Sequence, residues 1–167
     1  PTTLIQIPNP GNGEVSALAS ISGTANDSGS GVLWVRVAYY GETELNWWNP
    51  ASGLWNLGGG ASNPPDAAFV LASTTPAPVS WEVTGGSIPA TMANTQFYRI
   101  FARGEDMVQN KTAFPGHAGV TTPPTQSSFI RIKKVGAAPT SSITTPAAGE
   151  PHFKPSGGNS LASIVGT

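Results

Sequence analysis

Side chains able to do acid, base or nucleophilic chemistry are sparse in this chain, and they form no catalytic pattern. The 167 residues include nine Asp and Glu, two His and no Cys. His117 and His152 have no acidic or histidine neighbour at the spacing of a metal site or a catalytic triad. Glu42 and Glu44 precede a predicted hairpin, where we expect solvated loop charges. The sequence therefore predicts no enzymatic activity.

Aromatic side chains are the second group that could carry a function. Trp47, Trp48 and Trp55 flank the turn-forming segment Asn49 to Gly53 of one predicted hairpin. Because successive strand residues point to opposite faces, Trp47 and Trp48 cannot both face the core. An outward ring could stack on a sugar or contact another protein, and we favour protein contact because aromatic residues are enriched at interfaces.

Basic and aromatic side chains alternate along the outward faces of three predicted strands. This set, which we call the assembly face, consists of Trp34, Arg36, Phe97, Arg99, Phe101, Arg103, Arg131 and Lys133. Arginine and aromatic side chains could simply stack on one another across a solvated sheet. We favour a contact surface instead, because so much apolar ring is costly to leave in water.

The strands that would position these residues follow from period-two alternation between turn signals. The clearest are Val32 to Tyr40, Gln96 to Arg103 and Ser128 to Lys134, and a long connection runs from Gly58 to Pro78. Seven or more short strands of this kind predict an all-β, antiparallel β-sandwich with long loops. The alternation predicts a core made of Ile21, Leu33, Val35, Val37, Trp81, Tyr98, Ile100 and Ile132.

The end of the chain repeats its beginning. Residues 139–146 restate 1–8 with Ile143 on Ile5, and 161–167 restate 18–24, with five extra residues between the two blocks. The repeat predicts a module over 1–138 and, over 139–167, the first strands of a second repeat or an assembly segment. The segment could fold back on its own module, but we favour donation of strands to a neighbouring copy, which would build a filament. Its apolar residues would then fill the neighbour's core: Ile143, Leu161 and Ile164.

With the strands placed, the chain resembles the bacterial immunoglobulin-like repeat domains of large exported surface proteins. The resemblance rests on the Gly23-Thr24-Ala25 block, on Ser30-Gly31-Val32, and on Tyr98 to Ala102 running into Asp106 and Asn110. It implies an immunoglobulin-like antiparallel β-sandwich, followed by the first strands of a second repeat, with a structural role. Gln109 stands where the family usually has Gly, and the segments 58–78 and 112–126 are longer than such a domain needs.

The same resemblance implies a candidate calcium site, because related sandwiches often bind a hard cation through acidic residues that follow the second and the penultimate strands. The candidate ligands are Asp27, Glu105, Asp106 and Asn110, all with oxygen donors. Alternatively, Asp27 and Asp106 cap turns with their own side chains. We favour capping, because nine carboxylates in the whole chain are too few for the dense acidic clusters of such junctions.

The composition of the chain limits the kinds of partner that we expect it to bind. A net charge of −1 argues against nucleic acid, and no stretch approaches the length of an apolar membrane span. The low charge and the absence of Cys suit an extracellular or cell-surface protein that needs no disulfides. We therefore expect a structural module that contacts copies of itself head to tail. The alternative is an adhesin or carbohydrate-binding module that uses exposed tryptophans on a surface polysaccharide.

Overall fold

The computed structural model describes residues 1–8, 13–75, 79–112 and 128–136, together with the backbone pairing of 143–145 and 165–166. The chain divides into two compact units, Pro1–Gly136 and Ala137–Thr167. Within the described ranges no helix is long and apolar enough to cross a membrane.

The first unit is a sandwich of two sheets, as the sequence predicts. The four-stranded sheet has the order β1-β3-β9-β8, and the seven-stranded sheet has the order β2-β11-β10-β4-β5-β6 with β7 also paired to β4. The strands are β1 (Thr2–Ile7), β2 (Glu14–Val15), β3 (Ser20–Asn26), β4 (Val32–Gly41), β5 (Asn46–Asn49), β6 (Leu54–Leu57), β7 (Val70–Leu71), β8 (Ser73–Thr75), β9 (Val79–Thr84), β10 (Phe97–Asp106) and β11 (Phe129–Lys134).

The main core lies between the sheets and follows the predicted alternation. Val35, Val37 and Tyr39 of β4 and Ile100 and Ala102 of β10 are fully buried there. They meet Ile21 of β3 and Trp81 of β9 from the opposite sheet. Seven of the eight predicted core residues are buried, and Leu33 is the exception.

Leu33 is 48% exposed because a bulge interrupts the alternation at the start of β4. Trp34 pairs with Glu105 and Val32 pairs with Asp106, so Leu33 has no partner on β10. A bulge residue leaves the regular pleat, and here Val32 packs against the core while Leu33 points to solvent. The prediction that Leu33 belongs to the core is therefore wrong.

Tyr98 forms a tyrosine corner at the start of β10. Its ring is fully buried, and its hydroxyl accepts a hydrogen bond from the Ala93 N–H at 2.8 Å. The bond ties the loop before β10 to the strand, as the tyrosine corner of immunoglobulin-like sandwiches does. Burial raises the pKa of Tyr98, which keeps the hydroxyl neutral in this position.

Gly23 in β3 allows the strands of the four-stranded sheet to pack closely. A Cβ atom at this position would overlap the Leu4 carbonyl oxygen and lie 2.8 Å from Cζ2 of Trp81. Any side chain would therefore push β1 or the Trp81 indole away. This contact gives a physical reason for glycine in the Gly23-Thr24-Ala25 block.

The long connection from Gly58 covers the outer face of the seven-stranded sheet. It contains a 3-10 turn at Asp66–Ala68 and the short strand β7. Its residues Ala61, Ala68 and Phe69, with Leu57 of β6, close a second apolar cluster over the sheet. The sheet members of this outer cluster are Ala38, Tyr40, Trp47, Phe101 and Phe129.

The second unit contains one antiparallel strand pair, β12 (Ile143–Thr145) with β13 (Val165–Gly166). Ile143 pairs with Gly166 and Thr145 pairs with Val165, with an irregularity between Ile143 and Thr145.

Candidate functional site

The assembly face lies on the outer side of the seven-stranded sheet, on β4, β10 and β11, as predicted. The strand register brings its residues into rows across the sheet: Arg36 beside Arg103, and Arg99 beside Arg131. The face is nonetheless not one open surface, because the outer cluster divides it into three parts.

The middle part is buried by the chain itself. Phe101 is fully buried, stacked 4.9 Å from Phe129 and 5.2 Å from Trp47 between ring centroids. Arg103 is 8% exposed, lies 4.0 Å over the Phe69 ring and donates a 3.0 Å hydrogen bond to Asp66. The expectation that Phe101 and Arg103 are available to a partner is therefore wrong, because the connection between β6 and β8 packs over them.

A second part of the face is an ion-pair cluster around Glu42. Arg131 donates two hydrogen bonds to this carboxylate at 2.8 and 2.7 Å, and Arg99 Nε donates a third at 2.6 Å. The Arg131 guanidinium also lies 3.7 Å over the Phe97 ring. The hydrogen bonds from Arg131 and Arg99 hold the pKa of Glu42 below its usual value.

This geometry corrects the expectation that Glu42 is a solvated loop charge. Its side chain is only 19% exposed, since it sits between two arginines in the turn that follows β4. No local pattern joins residue 42 to residues 99 and 131, so sequence reasoning could not find the cluster. The cluster has a structural role. Arg99 and Arg131, which we expected to contact a partner, are paired with Glu42 inside the unit.

The third part remains accessible at the other end of the sheet. The Arg36 guanidinium lies 3.8 Å over the Trp34 ring, and both residues are partly exposed. Arg36 is paired in register with Leu71 of β7, which is 64% exposed. Lys133, the last member of the face, lies away from this end, on β11 beside Phe97 of β10, and pairs with Glu14 at 3.0 Å. Trp34, Arg36 and Leu71 form what we call the Trp34 patch.

The tryptophans of the hairpin are not a free sugar platform. Trp47 is fully buried and Trp48 is 3% exposed. As predicted, they lie on opposite faces, Trp48 in the main core and Trp47 in the outer cluster. The expectation that the outward ring contacts a sugar or another protein is wrong for Trp47, because the connection covers the outer face and the Gly60 carbonyl accepts a hydrogen bond from Trp47 Nε1.

Trp55 differs from the other two because its ring is only half-buried. It packs on Tyr98 with ring centroids 5.2 Å apart, and its Nε1 donates a 3.0 Å hydrogen bond to Thr91 Oγ1. Both partners belong to the same unit. Trp55 therefore closes one end of the core and offers a partner only part of its ring.

The calcium candidates cap turns with their own side chains. Asp27 Oδ2 accepts hydrogen bonds from the N–H groups of Gly29 and Gly31, at 3.1 and 3.0 Å. Asp106 Oδ1 accepts from the N–H groups of Val108 and Asn110. These bonds confirm the capping alternative for both residues, and Glu105 instead pairs with Lys111 at 3.7 Å. Among the described residues no three His, Cys, Asp or Glu side chains are grouped to hold a metal ion.

The repeated hairpin is the part of the predicted assembly strand that the structure describes. In the first unit Ile5 pairs with Gly23 and Ile7 with Ser22, with an irregularity between Ile5 and Ile7. The pairs in β12 and β13 fall on the repeat-equivalent residues, and the irregularity recurs at the same place. The second unit therefore pairs its strands internally, in the register of β1 with β3. Leu161 and Ile164 lie outside the described residues, as do His117 and His152.

No family model, no curated protein and no solved structure matches this chain. The fold alone defines the class: an all-β sandwich of two packed sheets.

Proposed function

We propose that this chain is part of an extracellular array of immunoglobulin-like repeats and serves as its structural module, with copies joined head to tail. The observation that carries the proposal is the recurrence of one strand register, with its irregularity, in β1–β3 and β12–β13. A donated strand would pair with the edge of another copy, whereas β12 pairs with β13. A covalent array is therefore favoured over a filament built by strand donation.

The path of the chain through the first unit suits such an array. The carbonyl of Pro1 lies 3.4 Å from Thr112 Oγ1, and the Thr112 N–H is bonded to the Gly104 carbonyl near the end of β10. Lys134, in contrast, bonds through its N–H to the Gln96 carbonyl, just before β10 begins. Gln96 and Gly104 are eight residues apart along the chain, which is about 26 Å at the usual rise of a strand. The chain thus passes from one end of the sandwich to the other.

Single-molecule pulling on the 167-residue chain tests the proposal. A structural repeat should unfold in one cooperative event whose contour length matches the first unit. A polypeptide with consecutive copies should give equal events, one for each copy. Gradual extension without a cooperative event would contradict a structural role.

The Trp34 patch is the surface that we propose contacts a neighbouring copy. Its support is the exposure of an apolar Leu71 beside a stacked Arg36–Trp34 pair, and no salt bridge of Arg36 is found among the described residues. Reversing the charge of an exposed residue at a contact weakens association and leaves the fold of the unit intact. Self-association of Arg36→Glu, measured by sedimentation velocity, should therefore be weaker than that of the parent chain. Equal association of the two proteins would reject this surface.

A further inference from the structure

The outer side of the four-stranded sheet is rich in hydroxyl groups. Its residues alternate with the buried Ile5, Ile21, Trp81 and Val83 of the core. We call it the hydroxyl face, and on the four strands it consists of Thr2, Leu4, Gln6, Ser20, Ser22, Thr24, Ser73, Ser80, Glu82 and Thr84. Most of these side chains are Ser or Thr, which bear a donor and an acceptor each.

Strand register sets Ser22, Glu82 and Ser73 side by side on β3, β9 and β8. Neighbouring strands lie about 4.8 Å apart, so these groups form an evenly spaced row. Gln6 joins the row on β1, next to the pairing of Ile7 with Ser22. Together with Gly23, Ser80 and Trp81, they line a shallow depression of about 370 Å³.

The charge distribution restricts the ligand. Every described basic residue lies on the seven-stranded sheet or, for Lys111, in the turn beside it, and Glu82 is the one charged residue of the hydroxyl face in the described ranges. A phosphate, sulfate or carboxylate would therefore meet a negative charge and no counter-ion. Hydroxyl-bearing ligands suit the face instead, because carboxylate and amide oxygens accept from them while Ser hydroxyls and the Gln amide donate.

We propose that the hydroxyl face binds a neutral glycan chain, with Glu82 and Gln6 as its central hydrogen-bonding groups and the flanking serines as supporting contacts. This function goes beyond the structural role. The proposed sugar contact therefore lies on the four-stranded sheet. It does not involve the tryptophan hairpin, whose rings are largely buried.

The second copy of the repeat keeps this character in part, with Val165 at the position of Ser22. Thr140, Ser142 and Thr144 stand at the positions of Thr2, Leu4 and Gln6. Ser163 and Thr167 stand at the positions of Ser20 and Thr24. An array that presents this face in each copy would bind a polymer with an avidity above that of one site.

Binding of neutral oligosaccharides to the 167-residue chain tests the proposal. Cello-, chito-, manno- and galacto-oligosaccharides serve as probes, with amide chemical shifts to locate binding and titration to measure affinity. At least one probe should perturb the amides of Ser22, Ser73 and Glu82. Glu82→Ala and Gln6→Ala should each weaken its binding about tenfold, the usual effect of losing a hydrogen bond to a charged or amide group.

Two control variants separate this site from the alternatives. Glu14→Ala removes an exposed carboxylate at the edge of the other sheet, and it should leave affinity unchanged. Trp55→Ala tests the tryptophan hairpin. Binding lost in Trp55→Ala but kept in Glu82→Ala would overturn the proposal, as would binding to heparin in preference to neutral sugars, or no binding to any probe. These outcomes leave the pulling experiment unaffected, so failure of glycan binding and failure of the structural role are distinguishable.

Discussion

At the scale of single residues, Glu42 and Gly23 each hold neighbouring strands of the first unit in place. Glu42 joins β10 and β11 through Arg99 and Arg131. Gly23 lets the β1 backbone and the Trp81 indole approach β3 from two sides. Each acts through contacts with residues distant in sequence, so each substitution has a defined consequence.

Replacing Gly23 by Ala should destabilise the unit by about 1 to 3 kcal/mol, the usual cost of forcing extra atoms into a packed site. The added methyl would overlap the Leu4 carbonyl oxygen. Urea unfolding measures the effect. Gly58→Ala is the matched control, because nothing lies within 4 Å of a Cβ atom there. Equal stability of the two variants would show that β1 can shift away from the added methyl group without lowering the free energy of unfolding.

Glu42 should make the stability of the unit depend on acid pH. Its pKa is lowered in the folded state by the hydrogen bonds from Arg131 and Arg99. The stabilisation is therefore fully present above the unfolded pKa of about 4.3 and is lost as the pH falls through the lower folded pKa.

Glu42→Gln should cost about 1 to 3 kcal/mol at neutral pH, because the charged acceptor is lost. The difference from the parent protein should shrink towards pH 3 in unfolding curves recorded across the acid range. Glu14→Gln, in the exposed pair with Lys133, should change stability by less than about 1 kcal/mol. A difference between Glu42→Gln and the parent that stays constant with pH would contradict the ion-pair role.

At the scale of elements, the connection between β6 and β8 makes the seven-stranded sheet a middle layer. The main core lies on its inner face and the outer cluster on its other face. Adjacent residues of β10, Ile100 and Phe101, are each fully buried on opposite sides. A sheet with one solvated face would bury only one of them.

Ile100→Ala and Phe101→Ala should therefore both destabilise the unit, by about 2 to 5 and 3 to 5 kcal/mol. Each removes buried apolar volume from a separate cluster. Leu71→Ala, at an exposed position of β7, is the control and should stay within about 0.5 kcal/mol of the parent. Thermal unfolding ranks the three variants, and a mild effect of Phe101→Ala would mean that the connection does not cover the sheet firmly.

The sequence predicts the fold class well because alternation and turn residues are local signals. The positions of β4, β10 and β11 and the burial of Val35, Ile100 and Trp81 follow from that pattern. The alternation predicts the wrong burial for Leu33, because a bulge depends on how the strand pairs with its partner strand. The contact surfaces could not be predicted in the same way, because which polar or aromatic face is covered depends on where a Gly- and Pro-rich connection packs.

At the scale of the whole molecule, copies could associate by strand donation or through the Trp34 patch. These two modes of association predict opposite effects of Ile143→Asp and Arg36→Glu. Strand donation depends on Ile143, the sequence equivalent of the buried Ile5, whereas the Trp34 patch depends on Arg36. We expect Ile143→Asp to leave the association of the 167-residue chain unchanged in sedimentation velocity and electron microscopy. Filaments that Ile143→Asp abolishes and Arg36→Glu preserves would restore strand donation.

The shared register of the two hairpins also bears on how such a chain is synthesised. Because β12 pairs as β1 does, it can compete for β3 while the polypeptide is still emerging, and repeat proteins are prone to exchange of this kind. The two copies differ in sequence where β1 is partly apolar, with Ser142 in place of Leu4 and Thr145 in place of Ile7. An exchanged strand would bury less apolar area than the native one. Divergence between the two copies thus favours correct pairing of β1 with β3.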